Sequence, residues 1–140
     1  HNLDIFCKAI KKETMGEKQR SMRIHIETSG VNPISGFYDW ITLSPKRHSP
    51  PKDYFLKYCN EIKIIINDKK DLEFATDVRK EIIKKFQISD FEDPFSKQNK
   101  MYYLQPAWNN ENGLSLAIDY VKNNPEWNLS LQTHKYLKIK

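Results

Sequence analysis

The sequence predicts an α/β chain whose sheet is mostly parallel. Strand-like and helix-like segments alternate along it, at spacings that suit crossover connections between parallel strands. Two segments show the contrast most clearly. Glu61–Ile66 (Glu-Ile-Lys-Ile-Ile-Ile) is short and rich in β-branched residues, as strands are. Asp71–Phe86 instead places Leu72, Phe74, Ala75, Val78, Ile82, Ile83 and Phe86 at a period near 3.6, the mark of a helix with one apolar face.

The remaining elements follow in order. Leu3–Lys12 is expected to be a helix, with Leu3, Phe6, Cys7 and Ile10 at helical spacing. Thr14–Arg20 is polar, contains Gly16 and reads as a loop. Met22–Thr28 and Tyr38–Leu43 are strand candidates, closed by Ser29-Gly30 and by Ser44-Pro45-Lys46. Arg47–Pro51 ends in two prolines, which neither a helix interior nor a paired strand accepts. Tyr54–Cys59 is a short helix candidate. Gln87–Lys100 is polar, holds Pro94 and reads as a surface loop or insertion in a single 1–140 domain. Met101–Leu104 is a strand stopped by Gln105-Pro106. Gly113–Asn123 is a helix stopped by Asn123-Asn124-Pro125, and Trp127–Gln132 is the last strand.

Bulk properties narrow the function classes. The chain has 140 residues, 39% hydrophobic and 29% charged, a balance that fits a folded globular unit. No apolar run approaches the ~20 residues that cross a bilayer, so no membrane partner is expected. The net charge of +5 comes from lysines spread along the chain. No clustered basic stripe or known module marks a direct nucleic-acid surface. Cys7 and Cys59 lie far apart on apolar faces, form no metal or cluster motif, and read as buried reduced thiols. A cytoplasmic location is the expectation.

In parallel α/β sheets, ligands bind beyond the C-terminal ends of the strands. Here those ends carry Glu27-Thr28-Ser29-Gly30, Ser44-Pro45-Lys46, Asn67-Asp68, Gln105-Pro106 and Gln132-Thr133-His134-Lys135. A carboxylate at Glu27 accepts hydrogen bonds only, which suits the paired hydroxyls of a ribose; it could equally be a solvated edge carboxylate. Lys46 could pair with a ligand carboxylate or be one more exposed lysine. His134 is the one histidine at a predicted strand end, and lone histidines are more often structural. His25 falls inside a strand with no visible partner.

Four of these segments resemble motifs of the 7-carboxy-7-deazaguanine synthases, a family of radical S-adenosylmethionine (SAM) enzymes. Glu27-Thr28-Ser29-Gly30 is similar to the family's Glu-Thr-Asn/Ser-Gly, and Asp39-Trp40-Ile41-Thr42-Leu43-Ser44-Pro45-Lys46 to its Asp-Trp…Ser-Pro-Lys. Leu104-Gln105-Pro106 matches its Leu-Gln-Pro, and Leu131-Gln132-Thr133-His134-Lys135 its terminal Leu-Gln-Thr-His-Lys.

The resemblance implies the C-terminal part of a modified, incomplete radical-SAM (β/α) barrel. It implies a carbon–nitrogen lyase of queuosine and 7-deazapurine biosynthesis, which converts 6-carboxy-5,6,7,8-tetrahydropterin to 7-carboxy-7-deazaguanine. Implied cofactors are SAM, a [4Fe–4S] cluster and Mg2+. Implied partners are the pterin substrate, a reductant such as flavodoxin or ferredoxin, and a second copy in a homodimer. Glu27, Ser29, Ser44, Lys46 and Gln105 would hold SAM, and Gln132, Thr133 and His134 would face the pterin. The cluster and Mg2+ ligands of the family fall N-terminal to His1, so this chain by itself is expected to be inactive. The final Leu137–Lys140 departs from the family tail in lacking a glycine. Two other readings remain open on the residues: a radical SAM activating enzyme acting on a protein, and a non-catalytic α/β interaction domain.

Overall fold

The computed structural model describes residues 3–14, 22–86 and 100–139. The expected loop over 87–100 therefore falls, except for Lys100, outside the described residues, as does most of the polar segment 14–20.

The elements run α1 (Asp4–Thr14), β1 (His25–Thr28), β2 (Trp40–Leu43), α2 (Asp53–Tyr58), β3 (Glu61–Ile66), α3 (Lys69–Phe86), β4 (Met101–Pro106), α4 (Glu111–Asn123), β5 (Trp127–Leu129) and α5 (Thr133–Tyr136). The five strands form one sheet in the order β1-β2-β3-β4-β5, and every pair is parallel. The α/β expectation with a mostly parallel sheet holds.

The strand order equals the chain order. Crossovers of one hand then keep their helices on one face of the sheet, as in a barrel wall rather than a doubly wound sheet. That face holds the core: Ile41 and Leu43 on β2, Ile62, Ile64 and Ile66 on β3, Tyr102 and Leu104 on β4, and Trp127 on β5. Phe55 and Leu56 of α2, Ala75, Val78 and Ile82 of α3, and Ala117 of α4 close over them. The period of 3.6 in α3 thus faces the period of 2 in β3.

Element ends differ from the expectation for local reasons. Helix α4 begins at Glu111 because the Asn110 side chain caps it, accepting from the Gly113 amide at 2.8 Å. Strand β4 continues through Pro106, which pairs with Ile66 at the very end of the ladder. Strand β5 stops at Leu129. The Ser130 amide still donates to Leu104 O at 2.9 Å, after which the chain turns, and Gln132 becomes the residue that leads into α5.

Asp39 ties the N-terminal elements together. Its Oδ2 accepts from Lys11 Nζ and from the Ile24 amide, both at 2.7 Å. The Lys11 hydrogen bond, and then the Ile24 amide, hold its carboxyl below the ordinary carboxylate range.

Both cysteines are buried and unpaired, as expected. Burial pushes the Cys59 thiol from its ordinary 9.0 up to about 11. A thiol whose pKa is raised on folding gives stability that is whole below the unfolded value. Stability should therefore decline as pH rises from about 9 through about 11, by on the order of 2 kcal/mol from this group. In a Cys7→Ser background at pH 8, iodoacetamide should label Cys59 only when urea unfolds the chain. Labelling of the folded chain at the free-thiol rate would contradict this burial.

Candidate functional site

Residues that alternate with the core positions point to the face opposite α2, α3 and α4. The register places His25 beside Trp40 and Glu27 beside Thr42, then Thr42 beside Glu61, Lys63 beside Tyr103, Ile65 beside Gln105, and Tyr103 beside Asn128. Most of these side chains are polar. Parallel sheets are ordinarily apolar and covered on both faces. A parallel sheet with one apolar face and one polar face fits the wall of a ligand-binding interior.

Local contacts pin several of these groups. The His25 ring packs edge-on against Trp40, with centroids 5.6 Å apart, and its Nε2 lies 3.3 Å from Thr42 Oγ1. This cross-strand partnership was invisible in the linear sequence. Trp40 Nε1 donates to Glu61 Oε2 at 3.3 Å. Lys63 Nζ donates to Glu27 Oε2 at 2.7 Å.

The SAM-side candidates gather on or beside this face. Glu27 lies on the edge strand β1 and is half exposed. Ser29 follows β1 in the same alternation. Just past β2, Ser44 is buried, and its amide donates to Thr28 O at 2.7 Å. Gln105 is buried inside β4 rather than beyond its end. The side chains of Ser44 and Gln105 form no hydrogen bond with another described residue. Neither has a fully buried unpartnered polar atom, so both groups reach solvent and leave their hydrogen-bonding capacity open to a ligand or to water.

Lys46 lies in the turn after β2 and lines a cavity of about 390 Å³ with Arg47, His48, Ile65, Asn67 and Asp68. Arg47 spans its rim, 3.4 Å from Asp68 Oδ1 and 3.2 Å from Asp71 Oδ1. Among the described residues Lys46 has no ion pair, so its ammonium can meet a ligand anion.

The pterin-side candidates lie elsewhere. The strand order sets β1 and β5 at opposite edges, four strand spacings or about 19 Å apart across a flat sheet. Gln132 borders a second cavity, of about 400 Å³, with Pro106, Trp108, Asn110, Leu131 and Tyr136. Its Oε1 is buried with no hydrogen-bond partner among the described residues. Thr133 and His134 are exposed on α5 and do not line that cavity. Glu27 and Gln132 therefore lie toward opposite edges of the sheet, while Gln105 on β4 adjoins Pro106 of the Gln132 cavity. The Trp108 and Tyr136 rings meet at 4.9 Å, and Lys135 Nζ sits 5.3 Å from the Trp108 ring. Sequence reading missed this aromatic pair, because it depends on α5 folding back over the turn after β4.

No group of three metal-ligating side chains occurs among the described residues. Cys7 and Cys59 are both buried. The described residues therefore supply no three-ligand site of this kind for a cluster.

No protein-family model matches the chain. Over 99% of its length it is 47% identical to the 7-carboxy-7-deazaguanine synthase of Prochlorococcus marinus, of which it covers 63%. The chain is a relative of the 7-carboxy-7-deazaguanine synthases. It is 37% identical to the synthase of Flavobacterium psychrophilum over 87% of this chain and 52% of that protein. With the Synechocystis synthase it shares 33% identity over its full length and 57% of the relative. The chain thus spans between about half and two thirds of the length of these synthases.

The crystal structure of QueE from Escherichia coli superposes with a TM-score of 0.66 and 23% identity, over 94% of this chain and 51% of that one. At that identity the likeness speaks for the fold. The singly wound sheet corresponds to part of the modified radical-SAM barrel.

Proposed function

We propose that this chain forms the SAM- and pterin-facing wall of a 7-carboxy-7-deazaguanine synthase. The reaction would convert 6-carboxy-5,6,7,8-tetrahydropterin to 7-carboxy-7-deazaguanine with loss of ammonia. The single observation that supports it best is the polar face, opposite α2, α3 and α4, of a parallel sheet in a chain 47% identical to such a synthase.

On this reading Glu27 accepts from the ribose hydroxyls of SAM, Ser29 and Ser44 line its methionine end, and Lys46 meets its carboxylate. Gln105 donates and accepts at the pocket floor. Gln132 offers its unfilled Oε1 to an N–H of the pterin, with Thr133 and His134 beside it on α5. These residues bind, orient and exclude water. A [4Fe–4S] cluster, when present, supplies the electron that cleaves SAM; the described residues of this chain do not hold it. Mg2+, a flavodoxin- or ferredoxin-like reductant, a homodimer and a cytoplasmic setting belong to the same proposal.

The test is titration calorimetry with SAM on this chain and its variants. Glu27→Ala should weaken SAM binding about tenfold to a hundredfold, the worth of hydrogen bonds to a charged acceptor. Lys52→Ala, on the exposed turn before α2, should leave it unchanged. Equal affinity in wild type and Glu27→Ala would remove Glu27 from the site.

A further inference from the structure

We propose that Lys63 is a positioning residue for Glu27: it grips one carboxylate oxygen and so aims the other at the vicinal hydroxyls of a ribose. The proposal rests on the reading of Glu27 given above and adds a residue that reading does not contain.

The geometry is specific. Lys63 sits on β3 and Glu27 on β1, with β2 between them. Backbones two strands apart are separated by about 10 Å, so both side chains must extend toward each other to meet at 2.7 Å. The bridge crosses the face occupied by Thr42, which pairs in register with Glu27 and is buried at 4% exposure.

Burial is unequal across the pair. The Lys63 side chain is 16% exposed and that of Glu27 52%. An ammonium so withdrawn from water needs a fixed anionic partner, and losing that partner is costly. The neighbours that could compete are engaged. Glu61 accepts from Trp40 Nε1, and the Tyr103 hydroxyl points to Met101 Sδ at 3.7 Å. Among the described residues Lys63 has no other ion pair or hydrogen bond.

For the carboxylate the consequence is orientation. An ionised carboxylate offers about four lone-pair sites on two oxygens. Lys63 occupies one site on Oε2, while Oε1 has no partner among the described residues on a side chain that is half exposed. A cis-diol can then donate one hydroxyl to Oε1 and the other to the remaining site on Oε2. An unanchored glutamate must give up its rotamer freedom to do the same. The predicted ligand class is therefore a ribonucleoside with both hydroxyls intact.

The experiment compares two probes, S-adenosylhomocysteine and its 2′,3′-dideoxy counterpart, by calorimetry on the 140-residue chain. Lys63→Met should weaken the ribose probe about tenfold while changing the dideoxy probe less than about twofold. Lys63→Arg should restore most of the lost affinity, because guanidinium also grips a carboxylate. Circular dichroism of both variants should match wild type. Equal weakening of both probes by Lys63→Met would overturn the positioning role while leaving Glu27 in the site. Absence of any preference for the ribose probe in wild type would instead overturn the diol reading of Glu27, and this proposal with it.

Discussion

Gly113→Ala should destabilise the chain by about 2 kcal/mol, and Gly113→Val by at least about 3 kcal/mol, where an ordinary helix glycine replaced by alanine gains about 1 kcal/mol. The sign follows from packing. Gly113 is buried in the first turn of α4, and a Cβ there would overlap the backbone oxygen of Ile66 and lie 3.2 Å from its carbonyl carbon. That oxygen cannot rotate aside, since it belongs to β3 and already accepts from the Ala107 amide at 3.0 Å. Relief requires moving α4 away from the sheet.

The displacement would also reach the candidate site. Asn110 and Asn112 both donate to Asn67 O, at 3.2 and 3.1 Å, which fastens the start of α4 to the end of β3. Asn110 and Glu111 line the same cavity as Gln132. Urea unfolding gives the free-energy change directly. A Gly113→Ala chain more stable than wild type would show that the helix does not need this close approach.

The sequence carried much of the fold because burial here is one-sided. Helix α3 keeps its apolar residues on one stripe, so its period was plain. Strand β3 buries every second residue, yet it reads as a continuous apolar run after Lys63 because Ile65 is apolar on the open face as well. Pattern alone therefore identified the strand without showing which face it turned to the core. At β5 alternation misled: Leu129-Ser130-Leu131 continues the period of 2, but Leu131 is 46% exposed and the chain has already left the ladder.

The site divides in the same way. The placement of Glu27, Ser44 and Gln105 at or near strand ends could be read from the sequence. The partnership of Lys63 with Glu27 could not. It spans 36 residues and exists only through the register of β1, β2 and β3. The distance between the Glu27 and Gln132 regions was hidden for a related reason, because strand order is a property of the assembled sheet.

Asp71→Ala should cost about 3 kcal/mol, more than loss of either acidic or basic neighbour. Asp71 is the third residue of α3 and closes a reciprocal capping box with Asp68. Its Oδ2 accepts from the Asn67 amide at 2.9 Å, the Asn67 side chain at 3.2 Å and the Asp68 amide at 3.4 Å, while Asp68 Oδ1 accepts from the Asp71 amide at 3.2 Å. Only 8% of Asp71 is exposed, so its removal leaves these donors short of an acceptor where water has little access. Asp68 and Arg47 are about half exposed, and solvent can replace what they lose. Asp68→Ala should therefore cost about 1 kcal/mol, and Arg47→Met less than about 1 kcal/mol because its pairs are screened. Asp71 also holds the turn after β2 through Arg47 Nη1, so its loss should loosen the segment that presents Lys46. Urea unfolding of the three variants gives the ranking, and hydrogen exchange at residues 46–49 reads the loosening. Equal destabilisation by Asp71→Ala and Arg47→Met would mean that the exposed ion pair, and not the buried cap, carries the stability of this corner.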